Sequence, residues 1–199
     1  MRAFFIGGLS IQRGIQMSNM NHELQHLHAL TGLEARSIGR VGIVGASAIG
    51  IAIAIQLLDA DVPVTLYESD PAALGVALAQ IRSGWVDTQD RRLALLAGTV
   101  NFHHLKDADL VVDATATSGR EALFQRLDQI AKHGAIMATA AADTGVDGLA
   151  RATRRPGDVL GLRVNGGPTW ELLPGRETSG AALATVSGLA RRVQGPAAA

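Results

Sequence analysis

Residues 41–50 read Val41-Gly42-Ile43-Val44-Gly45-Ala46-Ser47-Ala48-Ile49-Gly50. The first four form an apolar run of the length of a buried strand, and the run ends at a glycine. Residues 48–58 are apolar almost all round, as in a helix that lies against a sheet, and residues 62–67 show a second strand pattern. The segment therefore predicts a strand, a crossover helix and a second strand parallel to the first.

The loop between the first strand and the helix fits G-x-G-x-x-G, except that Ser47 stands at the middle glycine. In this motif the first glycine allows a tight turn and the third lets the helix pack on the strand. The middle one lets the backbone approach a pyrophosphate held at the helix N-terminus. Serine is small and its hydroxyl could face the phosphate, so the sequence predicts binding that is weakened rather than lost.

An acidic residue, Glu68, ends the second strand 18 residues after Gly50. A carboxylate there accepts hydrogen bonds from the adenosine ribose hydroxyls, and no arginine follows it, so NAD is expected in preference to NADP. The alternative is a domain of the same fold that keeps its glycines for packing and binds no nucleotide. The predicted cofactor-binding residues are Gly45, Ala46, Ser47, Ala48, Ile49, Gly50 and Glu68. No metal site is predicted.

The rest of the chain continues the alternation of strands and helices. Further strands are predicted at 99–102, 110–114, 136–139 and 159–164, and helices at 71–81, 91–96, 120–132, 146–153 and 179–193. This pattern is typical of an α/β fold with a doubly wound, mostly parallel sheet, a Rossmann-like domain. We expect a leader at residues 1–38 that is flexible or forms a short helix, the domain at 39–194 and a tail at 195–199.

Composition narrows the class of partner. The 18 basic and 18 acidic residues balance, which argues against binding to nucleic acid through bulk charge, and no apolar run is long enough to predict a membrane span. The chain has no cysteine, which excludes disulfides and thiolate chemistry and suits a reducing cytoplasm. The first eleven residues faintly resemble a signal sequence but lack a convincing cleavage site. A cytoplasmic protein is therefore expected.

Beyond the glycine loop, several blocks together resemble the NAD-binding domain of the 3-hydroxyacyl-CoA dehydrogenases. The blocks lie, in the family's order, at 41–50, 64–68, 108–114, 122–124, 136–139 and 155–162. The resemblance covers roughly residues 38–193. It implies NAD as cofactor, an oxidoreductase frame of fatty-acid metabolism and an acyl-CoA-like ligand.

The positions that carry the family's chemistry differ in this chain. The family's histidine base lies in a segment matched by residues 161–168, where Arg163 is too basic to accept a proton near neutral pH. The glutamate that orients the histidine lies about a dozen residues further on, near Pro174, with Glu171 and Glu177 close by. A glutamate near the cofactor is replaced within residues 115–117, and the family's Asn-Thr-Ser-Ser segment by residues 140–143. No catalytic residue is predicted.

Two hypotheses follow from the resemblance. The chain is either a catalytically degenerate NAD-binding module, or an active oxidoreductase of 3-hydroxyacyl-type substrates that works with a partner chain. In the family a C-terminal helical domain closes the substrate cleft and forms the dimer. From the spacing of the matched blocks, we expect this domain to begin after residue 199. A partner chain would supply that domain, or the surface on which it docks would pair in a homo-oligomer.

Other side-chain patterns have simpler interpretations. His22-Glu23-Leu24-Gln25-His26 matches the H-E-x-x-H zinc motif, but chance occurrence in a polar leader is favoured. His103 and His104 are interpreted as one packed and one solvated histidine rather than cofactor contacts. Arg151, Arg154 and Arg155 are interpreted as a solvated helix end rather than a phosphate site. The lone tyrosine, Tyr67, lies in the second strand, which excludes the Tyr-x-x-x-Lys pair of short-chain dehydrogenases.

Overall fold

The structure is a computed structural model that describes residues 35–85, 90–116, 118–141, 145–164 and 169–195. Its strands are β1 Val41–Val44, β2 Val64–Tyr67, β3 Leu96–Thr99, β4 Leu110–Asp113, β5 Ile136–Thr139, β6 Val159–Val164 and β7 Trp170–Pro174. Its helices are α1 Ala48–Asp59, α2 Pro71–Ser83, α3 Arg120–Ile130, α4 Val146–Arg151 and α5 Gly180–Gln194. Short 3₁₀ helices span Arg91–Leu95, Phe102–Leu105 and Pro156–Asp158.

The strands form one sheet in the order β3-β2-β1-β4-β5-β6-β7. The first six in the chain are parallel, and β7 runs antiparallel to β6. The strand order reverses between β1 and β4, and in open parallel sheets this is where ligands bind, beyond the carboxyl ends of the strands. The predicted α/β, doubly wound, mostly parallel fold is confirmed.

Helices cover both faces of the sheet. Successive strand residues, such as Ile43 and Val44 of β1, point to opposite faces of the sheet and belong to different apolar clusters. One cluster contains side chains of α1, α2 and α5, and the other contains side chains of α3, α4 and the 3₁₀ turn Phe102–Leu105. This arrangement buries the central parallel strands on two sides, which explains why residues 41–44, 110–112 and 136–138 are non-polar without alternation. Among the described helices, none combines the length and the apolar character that a membrane crossing needs.

Side chains at the helix N-termini fix where the helices begin. Asp70 accepts a hydrogen bond from the Ala72 N–H and is followed by Pro71, whose missing N–H costs nothing at the first helical position. Ser179 caps α5 in the same way through the Ala182 N–H. These caps place helix starts close to the predicted ones.

Two strands differ from the sequence-based expectation. The strand expected at 99–102 lies at Leu96–Thr99, and Phe102 instead opens a 3₁₀ turn capped by the Asn101 side chain. A Cβ at Gly98 would lie 2.5 Å from the Leu78 side chain, so this edge strand packs under α2 through its glycine. The antiparallel strand β7 was not predicted. The loop expected at 166–168 lies outside the described residues.

Smaller differences occur where elements end. β2 begins at Val64 rather than residue 62, because the Val62 N–H is bonded to the Leu57 carbonyl at the end of α1. α3 and α4 each end two residues earlier than expected, at Ile130 and Arg151.

Candidate cofactor site

The glycine loop lies at the carboxyl end of β1, against the residue that follows β4. Gly45 has φ +103°, a left-handed conformation that favours glycine, and a Cβ there would lie 3.1 Å from the backbone of Ala114. A Cβ at Gly50 would lie 2.3 Å from the Gly45 carbonyl oxygen. Both glycines are therefore required by close backbone packing, as the motif predicts for its first and third positions.

Ser47 is the N-cap of α1. Its Oγ accepts from the Gly50 N–H at 3.2 Å and donates to the Ala114 carbonyl oxygen at 2.7 Å. A hydroxyl has one hydrogen to donate, and that of Ser47 is committed to Ala114. In this structure the hydroxyl caps the helix and ties the loop to the end of β4, and its contact with a phosphate stays a prediction.

The first turn of α1 is open to solvent beyond the loop. Ala48 and Ile49 are exposed, Ile49 at 45%, and the turn contains no acidic side chain. Backbone N–H groups in the first turn of a helix have no intrahelical acceptor, and the helix dipole favours negative charge there. This end of α1 therefore has the exposed N–H groups and the charge preference that a pyrophosphate requires.

Glu68 lies at the end of β2 and faces the glycine loop. Its Oε2 accepts from the Ala46 N–H at 3.0 Å, and its Oε1 accepts from the N–H and Oγ of Ser69 and the N–H of Asp70. Partial burial raises the pKa of Glu68, but the bonds from Ala46, Asp70 and Ser69 outweigh it and hold the pKa below its ordinary value. A charged carboxylate next to the loop suits ribose hydroxyls and disfavours an additional 2′-phosphate.

Sequence reasoning missed a hydrogen-bonded network at the carboxyl ends of β4 and β5, beside the glycine loop. The carboxylate of Asp113 accepts from the N–H and Oγ1 of Thr115, at 2.9 and 2.7 Å, and from Thr139 Oγ1 at 3.2 Å. Arg120 Nε lies 3.2 Å from Asp113 Oδ2 as a charge contact without hydrogen-bond geometry, and its Nη2 donates to the Thr115 carbonyl. An aspartate that directly ends a buried apolar strand is the signal that could have identified it.

At the position that the resemblance matches to the family's base, the structure pairs two charged side chains on neighbouring strands. Arg163 of β6 lies opposite Glu171 of β7, and Arg163 Nη1 donates to Glu171 Oε2 at 2.7 Å. Both side chains are about half exposed. Pro174 pairs with Leu160, and Glu177 lies by Gly157 ahead of β6, so of the three candidate positions Glu171 is the one that faces Arg163.

The arginines after α4 hold a carboxylate of their own chain. Arg154 and Arg155 each place Nε 2.7 Å from the buried Asp128 carboxylate, and Arg155 also donates to carbonyls at the end of α3, including that of Lys132. Partial burial raises the pKa of Asp128, but its bonds to Arg154 and Arg155 outweigh it and lower the pKa overall. The interpretation as a solvated helix end is therefore wrong for Arg155, whose side chain is mostly buried against the end of α3; Arg151 and Arg154 are exposed, as that interpretation expects.

The remaining patterns have separate outcomes. His103 and His104 are both exposed in a 3₁₀ turn, so the prediction of one packed histidine is wrong; His104 Nδ1 lies 2.8 Å from Thr99 Oγ1. Tyr67 ends β2 as predicted. The H-E-x-x-H segment at 22–26 lies outside the described residues.

The comparison that decides the family covers nearly the whole domain. The family model of the 3-hydroxyacyl-CoA dehydrogenase NAD-binding domain matches residues 40–197. The chain belongs to this family. The resemblance predicted from the sequence is confirmed, and so are the oxidoreductase frame and NAD as the cofactor of the domain.

Relatives of this 3-hydroxyacyl-CoA dehydrogenase-family chain include a peroxisomal bifunctional enzyme and a 3-hydroxybutyryl-CoA dehydrogenase. The peroxisomal bifunctional enzyme of Cavia porcellus is 28% identical over 175 residues, covering 80% of this chain and 24% of that protein. The 3-hydroxybutyryl-CoA dehydrogenase of Mycobacterium tuberculosis (strain ATCC 25618 / H37Rv) is 31% identical over 139 residues, covering 63% of this chain and 49% of that protein. The chain thus spans half or less of the length of these relatives.

Solved structures agree with the fold. The crystal structure of M. tuberculosis FadB2 matches with a TM-score of 0.74 and 30% identity, covering 80% of this chain and 62% of that one. The (S)-3-hydroxybutyryl-CoA dehydrogenase PaaH1 of Ralstonia eutropha has a TM-score of 0.74 at 24% identity, covering 79% and 62%, and supports the fold alone.

Proposed function

We propose that this chain binds NAD(H) at the glycine loop and Glu68 and acts as a cytoplasmic NAD-binding module without hydroxyacyl-CoA dehydrogenase turnover of its own. The observation that carries the loss of turnover is the Arg163–Glu171 pair at the position of the family's base. A guanidinium stays protonated near neutral pH, so it cannot take the hydroxyl proton as hydride leaves.

Cofactor binding is supported by the fit of the loop. Gly45 and Gly50 allow the strand and helix to meet closely, and the first turn of α1 is exposed. Ser47 places a Cβ where the motif has none, which weakens the approach of the pyrophosphate without closing the site. The residues proposed to contact NAD are Gly45, Ala46, Ser47, Ala48, Ile49, Gly50 and Glu68.

A second candidate is an active oxidoreductase of 3-hydroxyacyl-CoA-like substrates. Glu171 lies opposite residue 163, where the family keeps its His–Glu pair, and the chain spans half or less of its curated relatives. In this case a helical domain from a partner chain would close the substrate cleft.

The first experiment measures NADH binding by calorimetry in the unmodified chain and in Glu68→Gln. We expect binding in the unmodified chain and an approximately tenfold or greater increase in Kd in the variant, because a charged acceptor is lost. Glu177→Gln is the matched control, since this exposed carboxylate lies ahead of β6, away from the loop. No binding at millimolar NADH would refute both candidate functions.

The second experiment separates the two candidates. NADH absorbance is followed with acetoacetyl-CoA present, at protein concentrations where NADH is bound. The module predicts a flat trace. Turnover that disappears in Glu68→Ala would instead establish the enzyme.

A further inference from the structure

The side chain of Asp113 is fully buried at the last residue of β4. Register places it between Val44 of β1 and Thr139 of β5, at the edge of the sheet where the glycine loop lies. A buried carboxylate is costly unless it is paired and hydrogen-bonded. Asp113 has both kinds of partner, from Thr115, Thr139 and Arg120.

Through the hydrogen bonds from Thr115, the Asp113 carboxylate fixes the turn at residues 114–115. The same turn receives the Ser47 hydroxyl on the Ala114 carbonyl oxygen and the Arg120 Nη2 on the Thr115 carbonyl oxygen. The Ala114 backbone lies so close to Gly45 that a Cβ on Gly45 would come within 3.1 Å of it. A displacement of the turn therefore changes the position of the glycine loop.

Asp109, which directly precedes β4, is a second partly or fully buried aspartate with which Asp113 can be compared. Asp109 accepts from the Gly39 and Arg40 N–H groups and pairs with Lys132 at 2.6 Å. It is as well partnered as Asp113 but lies at the amino edge of the sheet, away from the glycine loop. Asp109 therefore binds the backbone at the start of β1, whereas Asp113 binds the turn beside the glycine loop.

We propose that Asp113 is a positioning residue for NAD, which keeps the 114–115 turn against the glycine loop and so sets the shape of the cofactor site. The inference rests on the proposed function. Asp113 does not contact the cofactor; it acts through Thr115, Ala114 and the Ser47 tether.

The test compares NADH affinity and melting temperature in Asp113→Asn and Asp109→Asn. In Asp113→Asn an N–H₂ group would replace the oxygen that accepts a hydrogen bond from Thr139 and lies next to the Arg120 guanidinium. The turn at residues 114–115 would therefore lose part of its support. We expect Kd for NADH to increase about tenfold in Asp113→Asn, the equivalent of losing one charged contact. Asp109→Asn should lower the melting temperature and leave Kd within about twofold of the unmodified chain.

A milder pair keeps the proposal testable if Asp113→Asn fails to fold. Thr139→Val is nearly isosteric and removes one hydroxyl donor to Asp113, whereas Thr139→Ser keeps that donor. We expect Thr139→Val to weaken NADH binding severalfold and Thr139→Ser to restore it. Combined with Ser47→Ala, the Thr139→Val effect on Kd should be non-additive, because both side chains act on the same turn.

The outcomes distinguish this inference from the proposed function. If the unmodified chain binds NADH while Asp113→Asn or Thr139→Val binds it equally well, Asp113 is not a positioning residue and the proposed function stands. Additive effects of Ser47→Ala and Thr139→Val would also overturn the inference. If the unmodified chain fails to bind NADH, both are overturned together.

Discussion

Substituting Gly50 by alanine perturbs the closest approach in the cofactor site. The new Cβ would lie 2.3 Å from the Gly45 carbonyl oxygen and 3.3 Å from Ala114 Cβ. Favourable non-bonded contacts of carbon lie at about 3.5–4.0 Å, so α1 must move away from β1 by roughly 1 Å. That movement opens the loop on which the pyrophosphate is proposed to rest.

The magnitude follows from two opposing effects. Extra volume in a packed site costs about 1–3 kcal/mol, while alanine in place of glycine in a helix gains at most about 1 kcal/mol. Gly75→Ala in α2 isolates the second effect, since its Cβ would meet no described atom within 4 Å. Gly75→Ala should therefore stabilise the fold by about 0.5–1 kcal/mol, and Gly50→Ala should destabilise it relative to that control by about 1–3 kcal/mol, because the helix gain is common to both variants.

Thermal unfolding and NADH titration of the two variants measure the effect. For a chain of this size 1 kcal/mol corresponds to about 2–4 °C in Tm, so the two melting temperatures should differ by roughly 2–12 °C. NADH affinity should fall in Gly50→Ala and stay unchanged in Gly75→Ala. The close-approach argument is refuted if Gly50→Ala melts as high as Gly75→Ala or binds NADH as the unmodified chain does.

Three further outcomes follow from the charged groups. Asp128→Ala should lower the free energy of unfolding by about 3 kcal/mol in denaturant titration, because Arg154 and Arg155 lose a buried partner; a change below about 1 kcal/mol would contradict this. The pKa values of Asp109 and Asp128 are lowered in the folded chain. The stability that these two carboxylates add to the fold is therefore complete above the ordinary carboxyl pKa and is lost as the pH falls through their lowered pKa values in the folded chain. Tm should therefore drop below about pH 4, less steeply in Asp128→Asn. Glu68→Gln should reduce the preference for NADH over NADPH in competition titrations, and an unchanged ratio would remove Glu68 from cofactor choice.

The fully buried strands could be predicted closely from the sequence. β1 and β5, in which every residue is buried, begin and end as predicted, because a strand covered on both faces has no exposed polar positions to obscure its limits. β3 was displaced by three residues because only Leu96 and Thr99 of this edge strand are buried. Its placement depends on the Gly98 contact with Leu78, which α2 supplies and no local pattern shows.

Within the site, local chemistry could be predicted and contacts between distant segments could not. The turn at Gly45 and the place of Glu68 follow from one strand–helix–strand unit. The use of the Ser47 hydroxyl depends on Ala114, which is 67 residues away and reaches the loop because β4 lies beside β1. The strand order makes those segments neighbours, but the atoms that meet are decided by side-chain geometry.

The residue opposite Arg163 also could not be predicted by counting along the sequence. Counting about a dozen residues from position 163 leads to Pro174, but antiparallel strands pair by register, and Pro174 pairs with Leu160. Glu171, eight residues from Arg163, is the residue that faces it. A carboxylate opposite a histidine tunes a base, whereas opposite an arginine it completes a stabilising cross-strand ion pair. The hairpin therefore keeps its pairing satisfied without a base, and retention of the fold at this edge carries no information about turnover.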